Sequence, residues 1–242
     1  MVESLLPPGV DPHEFQATPQ DAIGIGRAQI LIVNGLGYEA WLDNSLAASG
    51  TQPVVIEASA GLVAGPEGDP HLWMNPRNVA RYAENIRDGL SEADPGGGHV
   101  YAANAEAYVA ELHGLEEWIQ AQVAQIPVDK RVLITNHHAL ESFADVYGFE
   151  IAGVIVPGFT SEAAPSAKQL AELIRTIKLL AAPAIFLDVS ENPDLARQIA
   201  AESGAEVVAG LYVETLSAAG GPAPTYIDMM KHDVTLIVQA LR

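Results

Sequence analysis

Hydrophobic positions along the chain follow two alternating rhythms. Short, nearly continuous apolar runs occur at 28–35 (AQILIVNG), 52–59 (QPVVIEAS), 131–136 (RVLITN), 150–156 (EIAGVIV), 183–189 (PAIFLDV) and 205–213 (AEVVAGLYV). Between them lie stretches with apolar residues at helical spacing: 18–27, 38–49, 75–95, 99–126, 138–147, 167–181, 192–203 and 225–241. Strands alternating with helices predict an α/β protein with parallel sheets. Helix starts are signalled locally. Thr18 and Asn75 are good N-caps, and Pro19 and Pro76 follow at the first helical position, where the missing N–H costs nothing. The glycines at 96–98 break the third helix from the fourth.

Helix 99–126 carries the longest pattern. Tyr101, Ala105, Tyr108, Leu112, Leu115, Trp118, Ile119 and Val123 fall on one face. At 1.5 Å per residue it would span ~40 Å, longer than one small lobe needs, so it reads as a strut between two lobes. The expected organisation is an N-terminal lobe at 1–98, a linking helix at 99–126 and a C-terminal lobe at 127–242. The segments 60–70, 157–166 and 217–224 read as loops.

Composition narrows the partners. The 242 residues are 49% hydrophobic, enough for a substantial core. Thirty-one acidic residues against 12 basic ones leave a net charge of −19. That surface repels phosphate backbones and anionic lipid, so neither nucleic acid nor a membrane surface is an expected partner. It attracts cations, and it favours a soluble monomer. With no cysteine, disulfides and thiolate metal sites are excluded. No apolar run reaches a membrane span, and MVESLLPPG lacks the basic and apolar regions of a signal peptide. G-x-S-x-G, P-loop, G-x-G-x-x-G and H-E-x-x-H motifs are absent.

The candidate chemistry lies in the histidines. Asp-Pro-His occurs twice, at 11–13 and 69–71, which projects His13 and His71 from loops stiffened by proline. His137 and His138 sit where a strand meets a helix, the end of a parallel strand at which ligands bind. One can point inward while the other starts the helix. Glu214 ends the last strand, and Asp188 and Glu191 flank the end of the one before. Both Glu214 and Asp188 read equally well as solvated acids. Three histidines and one carboxylate would make a tetrahedral N3O site, which suits Zn2+. His99, His113 and His232 read as ordinary surface or half-buried groups. Trp41 and Trp118 read as core, and Trp73, two residues after His71, as a wall of the site.

The segments LLPPGVDPHEFQATPQD, VNGLGYEAWL, GDPHLWMNP, VLITNHHALESFADVYGF, PSAKQLAELIRTIK and TYIDMMKHDVTLIVQAL together resemble the metal-binding solute-binding proteins of zinc and manganese ABC importers, often grouped as cluster A-I. The resemblance covers nearly the whole chain. It implies two α/β lobes joined by one long rigid helix, with a metal in the cleft. By motif it implies four ligands: His13, His71, His137 and Glu214. The family commonly has Asp in the fourth place, and Asp188 is the competing acid. Manganese-type members carry Glu in the third place, so His137 favours zinc. The chain opens at about the family's second strand, which implies an N-lobe without its first strand and helix and without the export signal. The loop at 60–70 has no histidine tract.

The expected function is that of an extracytoplasmic zinc receptor delivering Zn2+ to an ABC permease, with no enzymatic step. The alternatives are a manganese or iron receptor of the same family, a zinc hydrolase with Glu214 or Asp188 as base, and an adhesin. A closed four-ligand site argues for binding, and an open site with a free acid beside it argues for catalysis.

Overall fold

The computed structural model describes residues 2–65, 68–158 and 164–242. Residues 66–67 and 159–163, inside the loops expected at 60–70 and 157–166, lie outside that description. The elements follow the expected order: α1 (Pro19–Arg27), β1 (Ile30–Val33), α2 (Leu42–Ser49), β2 (Val54–Glu57), α3 (Pro76–Ala93), α4 (Gly98–Val123), β3 (Val132–Thr135), α5 (Glu141–Tyr147), β4 (Glu150–Val154), α6 (Ala167–Leu180), β5 (Ala184–Asp188), α7 (Asp194–Ser203), β6 (Glu206–Leu211) and α8 (Tyr226–Leu241). A short 3-10 turn, Leu72–Met74, precedes α3.

The caps work as the sequence suggests. Thr18 forms a capping box with Asp21, and Asn75 accepts the amide of Arg77. Two helices start later than their apolar pattern. The second was expected from Tyr38 and begins at Leu42. Glu39 turns its carboxylate back onto the amides of Asn34 and Gly35, and residues 38–41 form turns instead. The helix expected from His138 begins at Glu141, and the His138 amide donates to the Gly158 carbonyl.

All strand pairs are parallel. β1 and β2 form a two-stranded sheet, and the other four strands lie in the order β4-β3-β5-β6. Alternation along β5 is strict: Ala184 and Phe186 enter one core, Ile185 and Leu187 the opposite one. The first of these cores joins Leu112, Leu115, Ile119 and Val123 of α4 to Phe143, Phe149 and the apolar face of α8, and it takes in Met74 and Val79 from before the long helix. The second packs α6 and α7 on the other face of the sheet. Smaller clusters around Ile25, Leu31 and Leu42, and around Ala58, Leu72 and Tyr82, hold the β1–β2 sheet. Its outer positions Ile32, Val54 and Val55 are about half exposed.

Strand order positions the site. β3 runs on to β4 on one side and β5 lies on the other, so the gap between β3 and β5 is a topological switch point. Ligands bind outside the strand C-termini at such a point. His137 follows β3, Asp188 and Glu191 end β5, and Glu214 follows β6. No described helix is long and apolar enough to cross a membrane.

Candidate metal centre

His13, His71, His137 and Glu214 converge. One donor atom from each lies within 4.8 Å of all the others, the only such group of acids and histidines among the described residues. Glu214 Oε1 is at the centre, 3.1 Å from His71 Nε2, 3.1 Å from His137 Nε2 and 3.8 Å from His13 Nε2. The Nε2 atoms of His13 and His71 are 3.2 Å apart. Solvent is excluded: the most exposed of the four side chains, His13, retains 5% of its surface.

The Asp-Pro-His repeat is a local aiming device. In both copies the aspartate Oδ1 accepts the amide of the histidine two residues on, at 2.8 Å for Asp11 and His13 and 2.9 Å for Asp69 and His71. Asp69 Oδ1 also accepts His71 Nδ1–H at 2.6 Å. Glu191 Oε1 accepts His137 Nδ1–H at 2.9 Å. Each contact fixes the tautomer and turns Nε2 toward the centre, as carboxylates behind metal-binding histidines do.

Glu214 is held from several sides. Asp188 Oδ2 accepts the amides of Val213 and Glu214, while its Oδ1 accepts the Ser190 amide and hydroxyl. Asp188 is thereby committed to the backbone behind Glu214 and stands outside the cluster as its support. Tyr38 donates its hydroxyl to Glu214 Oε2 at 2.8 Å. Gly9 N–H donates to Thr215 Oγ1, tying the His13 loop to the residue after Glu214.

Charge is strongly coupled here. Burial alone would lower His71 and His137. The Glu214 charge and the hydrogen bond to Asp69 override it at His71, pushing it up to about 9, and hydrogen bonds to Glu191 and Glu214 push His137 up to about 10. Burial would raise Glu214, but the charge on His71 and the hydrogen bonds from all three imidazoles hold it well below the usual carboxylate range. Burial, reinforced by Glu214, keeps the Tyr38 hydroxyl protonated as a donor.

The remaining candidates fall outside the cluster. His138 pairs with Glu141. His232 donates to the Gly210 carbonyl at 3.0 Å, and His99 and His113 are exposed. Trp118 packs on the main core, and Trp41, just before α2, packs on the cluster of Ile25, Leu31 and Leu42 and edge-on to Phe15. Trp73 lies edge-on to His71 with ring centroids 5.1 Å apart, walling the site. Tyr38 has no signal in residue type or spacing, since a tyrosine after a glycine turn is ordinary. Only the geometry reveals it.

A model of the family described as zinc-uptake complex component A, periplasmic, matches residues 1–240. The manganese-binding lipoprotein MntA of Halalkalibacterium halodurans is 36% identical over 245 residues, 99% of this chain and 81% of that protein. The iron-binding protein YfeA of Yersinia pestis is 31% identical over 247 residues, 99% of this chain and 78% of that one. The solved structure of the periplasmic zinc binding protein TroA from Treponema pallidum superposes with a TM-score of 0.91 at 26% identity, covering 99% of this chain and 90% of that one.

Proposed function

The chain belongs to the zinc-uptake complex component A family of periplasmic metal-binding receptors, which are not enzymes, and from that premise we propose that it captures one Zn2+ between its lobes and hands it to an ABC permease. It works outside the cytoplasm as a monomer. The ligands are His13, His71, His137 and Glu214. The observation that carries this reading is the set of three buried imidazole nitrogens around one carboxylate oxygen. A tetrahedron with bonds of about 2.0–2.1 Å to zinc has edges of about 3.3 Å. The donor separations of 3.1, 3.2 and 3.8 Å bracket that edge.

Relatives are named for manganese, iron and zinc, so membership of the family leaves the ion open. The donor set argues for zinc. Imidazole nitrogens raise affinity along the series from manganese toward zinc, whereas manganese favours oxygen-rich, six-coordinate sites. With Glu214 in the cluster, Asp188 bonded to amides and Glu191 bonded to His137, none of these acids is left free as a base for hydrolysis.

The test is a titration of metal-stripped protein with Zn2+ and Mn2+. One tight zinc site, with manganese weaker by about 100-fold or more, is the expected result. Manganese binding as tightly as zinc overturns the choice of ion while keeping the receptor; binding of neither metal overturns both.

A further inference from the structure

His71 precedes α3 and Glu214 follows β6, and the Trp73 side chain joins these two segments. We infer that Trp73 is a positioning residue that sets Glu214 against His71, acting through the peptide that precedes Glu214; this rests on the metal-site reading above.

Trp73 lies in the 3-10 turn directly after His71. Its indole N–H donates to the Val213 carbonyl at 2.9 Å. That carbonyl belongs to the same peptide plane as the Glu214 amide, which donates to Asp188 Oδ2. The plane is rigid, so gripping both of its ends fixes its rotation and the direction in which the Glu214 side chain leaves. Asp188 holds the N–H end from within the C-terminal sheet. Trp73 holds the C=O end from the His71 loop. Without the indole bond, the Glu214 peptide would be gripped from the C-terminal sheet alone, and only side-chain contacts such as that of Tyr38 would set Glu214 against His71.

Three further observations support this assignment. The ring of Trp73 packs edge-on against Tyr38 at 4.8 Å, and Tyr38 donates to the other Glu214 oxygen. The Trp73 carbonyl accepts the Tyr226 hydroxyl at 2.7 Å, so the turn is tied to the start of α8 as well. Among the described residues, Trp73 alone packs against both the main core and the cluster around Ala58, Leu72 and Tyr82. A ligand held about 1 Å too loosely is a weak ligand. The loss should appear in release rather than in capture, because three histidines still meet the incoming ion.

The experiment compares the parent with Trp73→Phe and Tyr226→Phe, each as the full chain. Phenylalanine keeps a ring at 73 and removes the N–H. Tyr226→Phe removes the bond from α8 to the Trp73 turn without touching the Glu214 peptide. Zinc release is timed by stopped-flow mixing with a chelator, and the site is viewed through the visible bands of bound Co2+. Trp73→Phe should release zinc about 10–100-fold faster, with capture little changed and the Co2+ bands shifted. Tyr226→Phe should keep the parent's Co2+ spectrum and a near-parental rate. Parental release and spectrum in Trp73→Phe overturn the inference. So do equal effects in both variants, which assign the indole to lobe packing alone. If Trp73→Phe does not fold, the Trp41→Phe/Trp118→Phe double variant leaves Trp73 as the only indole. Its emission should move on Zn2+ loading, and an unchanged spectrum overturns the inference. A parent that binds neither Zn2+ nor Co2+ removes the receptor reading itself, and this inference with it.

Discussion

Asp69 contacts His71 twice through one oxygen, at the amide and at the ring. Proline between them offers no N–H, so the carboxylate has only the histidine to accept from. Asp69→Ala should therefore weaken zinc binding by about 10–100-fold although no ligand is removed. A zinc titration at parental affinity would show that the ring is aimed by packing alone. Removing the ligand itself, in His71→Ala, should cost more than Asp69→Ala while leaving the far-UV circular dichroism intact. Protons give a third prediction. His71 and His137 are pushed up to about 9 and about 10, so both carry a proton at neutral pH and must lose it to bind a metal. Zinc uptake at pH 7 should release about two protons, and affinity should climb with pH until about pH 10, where His137 loses its proton. Calorimetry in buffers of different ionisation enthalpy counts them; zero release would contradict the raised values. His13, His71 and His137 were legible because each sits in a distinctive local context, whereas Glu214 read equally well as a solvated acid and came only through the family resemblance. The supports of the cluster were not legible. Glu191 reaches His137 across 54 positions and Trp73 reaches Val213 across 140, and nothing local in the sequence announces either contact.

Among the elements, β1 shows how a single glycine sets a turn. Gly35 has φ +88°, and a Cβ there would lie 2.3 Å from Glu57 Oε1. Its carbonyl accepts the Tyr38 amide, so the turn presents Tyr38 to Glu214. Gly35→Ala should cost about 1–3 kcal/mol in chemical denaturation, and an unchanged midpoint would mean the turn relaxes freely. The joint between β6 and α8 carries a pH signature. Asp233 of α8 is buried and accepts the Tyr212 amide. Burial raises it to about 8 against that hydrogen bond, with Asp188 adding to the rise. A raised carboxyl favours the protonated folded form, so its contribution is full below about pH 4 and is lost as the pH climbs toward 8. Asp233→Asn should gain stability relative to the parent as pH rises from about 4 to about 8, and a pH-independent difference would argue against the shift. Element type and order were readable because caps, prolines and apolar period agree. The starts of α2 and α5 were not, because contacts that the apolar pattern does not show hold the preceding residues out of the helix: Glu39 folds back onto the Asn34 and Gly35 amides, and the His138 N–H reaches the Gly158 carbonyl.

For the molecule as a whole, the net charge of −19 is a field that draws cations in. The zinc capture rate should fall as salt is raised from about 0.01 M to 0.5 M, far more than the release rate, because screening acts on approach and hardly on a buried site. Saturating zinc at about 1,000 times Kd should add about 4 kcal/mol, and in a chain of this size that is a rise in Tm on the order of 10 °C. The parallel α/β class was visible in the alternation, but the order β4-β3-β5-β6 was not, because which strands pair depends on contacts far apart in the chain. The cluster has one more consequence. It draws on position 13 and on position 214. A chain still emerging from the ribosome, or cut short anywhere before its last strand is followed by its loop, cannot assemble the binding set. On the proposed reading the ion can enter only after residue 214 has joined the fold, so loading reports that both ends of the cluster are in place.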